Sequence, residues 1–165
     1  MSHESIAAQL REAYLGTPIA PVRDRLADVQ AAYAVQECNT RHWLEQKRRL
    51  CGRKISLTSP AVQKQLGVDE PDYGMLFADM GVLDGECVQL RRLLQPKIEA
   101  EVAFVMGRDL EHPDLLISDV ITAIEYCLPA IEIVDSRIAN WGIRLTDTVA
   151  DNASSALFVM GTQPR

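Results

Sequence analysis

The sequence predicts an α+β fold with helices first and a mixed β-sheet after them, and three observations carry the prediction. Apolar residues recur at helical spacing through the first fifty residues. The spacing then changes to period two beyond Gly52, and later strand candidates are separated by turns rich in Gly, Pro and Asp. Ser2 predicts the cap of a first helix running to Leu15, with Ile6, Leu10, Ala13 and Tyr14 on one stripe and Gly16 and Pro18 as stop signals. A linker over 17–21 leads to a second helix, expected from near Asp28 to about Leu50. Its stripe of Val29, Ala32, Tyr33, Trp43, Leu44 and Leu50 is interrupted by Gln36 and Thr40. Arg48 and Arg49 fall in its expected last turn and Gly52 just beyond, so this basic cluster reads as a solvated helix end.

Over 54–58, Lys54, Ser56 and Thr58 face one way and Ile55 and Leu57 the other. A helical turn is expected over 60–66, a loop over 68–74, and short strands over 74–80 and 87–94. The clearest strand is 98–106. There Ile98, Ala100, Val102, Phe104 and Met106 form an apolar face expected to enter the core, opposite Glu99, Glu101, Ala103 and Val105. Ser118 or Asp119 should cap a short helix carrying Val120, Ile121, Ile124 and Cys127, which Pro129 ends. Strands over 130–134 and 156–160 follow. Two regions result, a helical one over 1–52 and a β domain over 53–165.

Composition narrows the function. A chain of 165 residues holds one domain with a real core, and 47% hydrophobic with 24% charged residues is ordinary for a globular protein. With 23 acidic against 17 basic side chains the net charge is -6, which argues against a nucleic-acid partner. No apolar run approaches the ~20 residues of a membrane span. The first fifteen residues lack the apolar core of a signal peptide, so a cytoplasmic location without a membrane partner is expected. Cys38, Cys51, Cys87 and Cys127 are scattered, with no CxxC pair and no His at zinc-ligand spacing. Four reduced thiols, mostly in packing, are expected, and an idle sequon at Asn152-Ala153-Ser154.

One acidic constellation stands out. Glu99 and Glu101 are two apart on a predicted strand and share a face. Glu132 sits between Ile131 and Ile133 on another strand. Three carboxylates projecting from two strands repel each other and are costly to desolvate unpaired. A divalent cation resolves that conflict, and an all-oxygen ligand set favours Mg²⁺ or Mn²⁺. The same spacing also fits the solvated face of a half-exposed sheet, with Glu132 paired to Arg137 or Lys97. The residues alone leave both readings open.

The segment Gln95-Pro96-Lys97-Ile98-Glu99-Ala100-Glu101-Val102-Ala103-Phe104 resembles the metal-site strand of the fumarylacetoacetate hydrolase superfamily. Three further stretches fit the 2-keto-4-pentenoate (2-hydroxypenta-2,4-dienoate) hydratases of aromatic meta-cleavage pathways within it. They are Arg53-Lys54-Ile55-Ser56-Leu57-Thr58-Ser59, Glu70-Pro71-Asp72-Tyr73-Gly74, and the run from Pro129-Ala130-Ile131-Glu132 to Asp151-Asn152-Ala153-Ser154-Ser155. The resemblance implies the N-terminal part of a barrel-like mixed-sheet fold, in a homo-oligomer. It implies that Glu99, Glu101 and Glu132 bind one Mg²⁺ or Mn²⁺, that Lys54 and Asp72 form the acid/base pair, and that Ser154 and Arg137 touch the substrate. For Arg137 a surface ion pair is the competing expectation. The implied reaction hydrates 2-hydroxypenta-2,4-dienoate to 4-hydroxy-2-oxopentanoate.

Two departures matter. The family's glycine in this first motif is Ser56 here, which crowds the backbone near the substrate or reflects local tolerance. Family chains also continue well beyond residue 165, so the chain is expected to be an N-terminal fragment or a truncated reading frame. Unpaired sheet edges and exposed apolar surface should follow. Two alternatives stay in play. One is the related 2-oxo-3-hexenedioate (4-oxalocrotonate) decarboxylase, although Asn140-Trp141-Gly142-Ile143-Arg144 resembles the hydratases more. The other is a non-catalytic chain that pairs with a full-length relative.

Overall fold

Ser2 caps the first helix, α1 (His3–Ala13), its hydroxyl accepting the Ser5 N–H at 3.3 Å; Ile6, Ala7, Leu10 and Ala13 are buried. In this computed structural model, which describes residues 2–66, 68 and 70–165, the second helix is α2 (Val29–Glu45). The Asp28 carboxylate starts it by accepting the Ala31 N–H at 2.8 Å. α1 packs on α2 and α2 on α5 (Leu145–Ala150), and one core holds Ile6, Leu10, Val22 and Val35 with Ile138 and Val149. Residues from both expected regions therefore share a core.

α2 ends five residues before the expected Leu50, because Lys47 turns to φ 66° and the chain enters β1 (Leu50–Ser56). Leu50 prolongs the helical stripe in phase, which is why periodicity overran. Arg48 and Arg49 are thus outside any helix and Gly52 is a strand residue. Arg48 is packed rather than a solvated end: its guanidinium lies over the Phe77 and Trp43 rings, 4.4 and 5.0 Å from their centroids, and pairs with Asp79 at 3.0 Å.

After α3 (Pro60–Leu66), β2 (Asp72–Phe77) takes residues 72–74 from the expected loop, of which Asp69 lies outside the described residues. β2 pairs antiparallel with β1, setting Lys54 opposite Gly74 and Ser56 opposite Asp72. A second sheet has the order β3-β6-β5-β4, from β3 (Gly81–Val82), β4 (Lys97–Met106), β5 (Ile124–Val134) and β6 (Ser155–Met160). β3 runs parallel to β6 and the other pairs are antiparallel, so the architecture is α+β with a mixed sheet, open rather than closed into a barrel.

Residues 87–94 contain a 3-10 turn at Leu90–Arg92, not a strand. α4 (Ile117–Ala123) stops before Ile124, and Asp119 accepts the Leu116 N–H at its start. Pro129 ends no helix; it lies inside β5, where its carbonyl still accepts the Gly161 N–H at 2.8 Å.

The largest correction concerns β4. It is an edge strand, and its apolar face is open: Ile98 is 74% and Phe104 58% exposed, with Val102, Met106 and the neighbouring Ile131 also exposed. The other face of the sheet stays exposed at its edge, at Glu99 and Glu101 of β4, and is covered over β5 and β6. There the β1–β2 ribbon brings Met75 and Phe77 against Phe158, the register partner of Glu132. All four cysteines are free, but Cys51 and Cys87 are exposed rather than packed. Asn152 of the sequon is buried, and no helix among the described residues is long and apolar enough to cross a membrane.

Val102→Glu and Phe104→Glu should change unfolding free energy in urea by about 0.5 kcal/mol or less while lowering fluorescence of the apolar dye ANS. A loss of several kcal/mol would show instead that this face is core.

Candidate active site

The register of β4 on β5 assembles the acidic group. Glu99 lies directly opposite Glu132, and Glu101 follows on the same face. One carboxylate oxygen from each of Glu99, Glu101 and Glu132 lies within 4.8 Å of the others. Glu132, on a central strand, is buried, while Glu99 and Glu101 on the edge strand are open. Glu99 and Glu101 are thus exposed, as the solvated-face reading expects, and Glu132 is the buried member of the group.

β1 supplies the cation. Lys54 Nζ lies 3.2 Å from Glu132 Oε1, with the two side chains 9% and 8% exposed, and donates to Ser56 Oγ at 2.5 Å. Alternation along β1 is as expected, but the polar face points inward and Ile55 is exposed. Neither expected partner of Glu132 takes that place. Lys97 sits 4.0 Å from the centroid of the Trp141 ring, and Arg137 pairs elsewhere.

Asp72 completes the group from the opposite strand of the ribbon. It is buried, and neither carboxylate oxygen has a hydrogen-bond partner among the described residues. Burial pushes the Asp72 and Glu132 carboxyls up, and the Lys54 charge draws both back. Glu101 is pushed up by burial and then by the charge of Glu99. One ammonium facing this many carboxylates leaves a negative excess. A cluster of hard oxygen donors with two members at its mouth fits a divalent cation.

Arg137, expected at a substrate carboxylate or in a surface pair, is fully buried. Its Nε donates to Asp151 Oδ1 at 2.6 Å, Nη2 to the Asp151 carbonyl at 2.9 Å, and Nη1 to the Ser155 carbonyl at 3.1 Å. The guanidinium also lies 4.2 Å from the centroid of the Tyr14 ring. Burial pushes Asp151 up to about 6 against the pull of Arg137. The Tyr14 hydroxyl, buried without a hydrogen-bond partner among the described residues, is pushed up to about 12.

Ser154 is buried, with its Oγ 3.2 Å from that of Thr148. It ends a left-handed turn in which Asn152, Ala153 and Ser154 have φ of 55°, 50° and 54°. Sequence reasoning passed over Asn152, whose side chain grips the backbone of Met75. The one available signal was its residue type, since Asn tolerates left-handed backbone.

An open mixed sheet with carboxylates and one lysine converging on its covered face is the architecture expected of the fumarylacetoacetate hydrolase superfamily. No family model matches the chain. It is 64% identical over 164 residues to 2-keto-4-pentenoate hydratase 2 of Dechloromonas aromatica (strain RCB), covering 98% of this chain and 63% of that protein. It is 42% identical over 148 residues to a 2-hydroxypent-2,4-dienoate hydratase of Pseudomonas putida, covering 88% of this chain and 67% of the relative. Among solved structures, the 4-oxalocrotonate decarboxylase from Pseudomonas putida G7, complexed with magnesium and adipate, matches with a TM-score of 0.93 at 34% identity. That match covers 98% of this chain and 63% of the other. The chain belongs to the 2-keto-4-pentenoate hydratase family. It spans just under two thirds of the length of the Dechloromonas relative.

Lys54→Met should lower the stability of the chain in EDTA by about 3 kcal/mol, read from urea unfolding; an unchanged midpoint would show that the carboxylates do not need this cation. Folded Tyr14 holds its proton more tightly than an unfolded tyrosine, whose value is near 10. Its contribution to stability is therefore complete below pH 10 and is lost as pH rises toward 12. The ultraviolet absorbance of tyrosinate should show a late ionisation step that Tyr14→Phe abolishes.

Proposed function

We propose that this family member hydrates 2-hydroxypenta-2,4-dienoate to 4-hydroxy-2-oxopentanoate, using one Mg²⁺ or Mn²⁺ held by Glu99, Glu101 and Glu132. The observation that carries the reading is the convergence of those carboxylates with Lys54 and Asp72, in a chain 64% identical to a protein named as such a hydratase. The magnesium in the neighbouring decarboxylase structure supports the choice of a divalent cation. When bound, such a cation supplies positive charge at the substrate's 2-oxygen, where negative charge develops during proton transfer.

The proton traffic falls to the chain's own residues. The dienol first loses its 2-hydroxyl proton and gains one at C5, giving a conjugated 2-oxo acid. Water then adds across the remaining double bond, hydroxyl to C4 and proton to C3. Asp72, buried and pushed toward its neutral form, is suited to take up and return a proton at its carboxyl. Lys54 holds a proton at Nζ beside Glu132 and orients the oxygen end of the substrate. Ser154 remains a proposed polar contact. Arg137 is left out of the substrate contacts, because Asp151 and Ser155 occupy its guanidinium.

The decarboxylase alternative shares the site chemistry, but the chain's identity to that structure is 34%, against 64% to the hydratase. Assembly into a homo-oligomer belongs to the same proposal, and the open apolar face of β4 supports it.

The test is the fall in dienol ultraviolet absorbance when the purified chain meets 2-hydroxypenta-2,4-dienoate and Mg²⁺, with 4-hydroxy-2-oxopentanoate as product. EDTA should abolish it, and Glu99→Gln or Glu132→Gln should weaken Mn²⁺ binding at least about tenfold. Turnover of 2-oxo-3-hexenedioate in preference would favour the decarboxylase. Activity appearing only with a full-length relative would favour the pairing role, and unchanged Mn²⁺ binding in both variants would sink the proposed ligand set.

A further inference from the structure

The β1–β2 ribbon shares no strand ladder with the four-stranded sheet among the described residues, so Lys54 meets Glu132 across a seam between two sheets. Something other than strand pairing must hold the ribbon in place there. Two buried amides grip β2 on either side of Gly74, the register partner of Lys54. On the helix side, Gln36 Nε2 donates to the carbonyls of Tyr73 at 2.9 Å and Val149 at 3.0 Å. On the other side, Asn152 turns both ends of its amide to one residue. Its Oδ1 accepts the Met75 N–H at 2.7 Å, and its Nδ2 donates to the Met75 carbonyl at 2.9 Å.

The fit at Gly74 is equally close. A Cβ there would collide with the Asn152 carbonyl oxygen and lie 2.7 Å from Ser155 Oγ. Holding Asn152 in this place requires three successive non-glycine residues in left-handed backbone, an arrangement that persists only where the surroundings over-determine it. Here Arg137 does so, binding Asp151 before the turn and Ser155 after it.

We propose that Asn152 is a positioning residue which, through Met75 and Gly74, holds the ribbon so that Lys54 Nζ stays against Glu132. The inference deepens the function proposed above and rests on it for the role of Lys54. Asn152 itself touches no proposed catalytic group; it acts through the ribbon.

The experiment is lysine acetylation of the folded 165-residue chain by N-hydroxysuccinimidyl acetate, quantified site by site by mass spectrometry. The exposed Lys47 and Lys64 serve as internal rate standards. Asn152→Gly keeps the left-handed backbone and removes the grip; Gly74→Ala keeps Asn152 and forces the ribbon off it. Each should raise the relative rate at Lys54 by about tenfold or more. Leu10→Ala, in the helical core, serves as a control matched for loss of Tm and should leave that ratio within about twofold. If Asn152→Gly does not fold, Asn152→Asp, which retains the acceptor for the Met75 N–H, should show the same effect in smaller measure.

An unchanged Lys54 rate in both ribbon variants, or an equal rise in Leu10→Ala, would overturn the proposal. Mn²⁺ binding followed by electron paramagnetic resonance separates the two readings. A chain that binds no Mn²⁺ but whose Lys54 responds retains the positioning role and loses the metal site. A chain that binds Mn²⁺ but whose Lys54 is indifferent loses the positioning role alone.

Discussion

The buried pair of Arg137 and Asp151 is the constraint on which the remaining structure depends. Both side chains are withdrawn from water, so each needs the other, and removing one partner of such a pair costs about 3–5 kcal/mol. Their hydrogen bonds do more than cancel charge. Arg137 binds Asp151 through side chain, carbonyl and backbone amide, and reaches the Ser155 carbonyl beyond the turn. A strained left-handed segment is thereby framed between the end of α5 and the start of β6. Asn152 projects from that frame onto β2. A charge pair at the centre thus fixes where two sheets meet without contributing to their ladders.

Electrostatics at the seam follow from that placement. Glu132 is buried by its central strand, and the approach of the ribbon buries Asp72 and brings Lys54 to it. Desolvation raises both carboxyls, and one ammonium offsets part of that penalty. Glu99 and Glu101 stand on an edge strand and are exposed. The group is therefore graded in exposure, open at the mouth and buried at the base. Such a gradient suits a site that must hold positive charge and move protons a few ångströms away. Ser56, the departure from the family motif, accepts a hydrogen bond from Lys54 and so belongs to the same network.

Alternation in a strand tells which residues share a face, but not which face is covered. β4 and β1 both make this plain. In β4 the apolar face is open and the acidic face turns toward the ribbon; in β1 Ile55 is out and Lys54 is in. Each departs from the rule that apolar residues go inside: in β1 the covered side is the site rather than the core, and in β4 the apolar side is left open at the sheet edge. Exposed apolar surface of this extent on an edge strand is the kind that partners cover.

Local chemistry determined much from the sequence alone. The Ser2 and Asp28 caps, the helical stripe of α1, the alternation along β1 and β4, and the shared face of Glu99 and Glu101 all depend on neighbours in the chain. The motifs at Lys54, Asp72 and Glu132 also pointed to one chemistry before any coordinates. Other features required the tertiary structure, because they depend on partners distant in sequence. Leu50 belongs to a strand because Phe77 pairs with it, and Pro129 continues β5 because Val102 of β4 pairs with it and Gly161, just past β6, donates to its carbonyl. Arg137 faces Asp151 instead of a substrate, and Asn152 reaches 77 residues back to Met75. Periodicity can report a face, but which face is covered is decided by the rest of the chain.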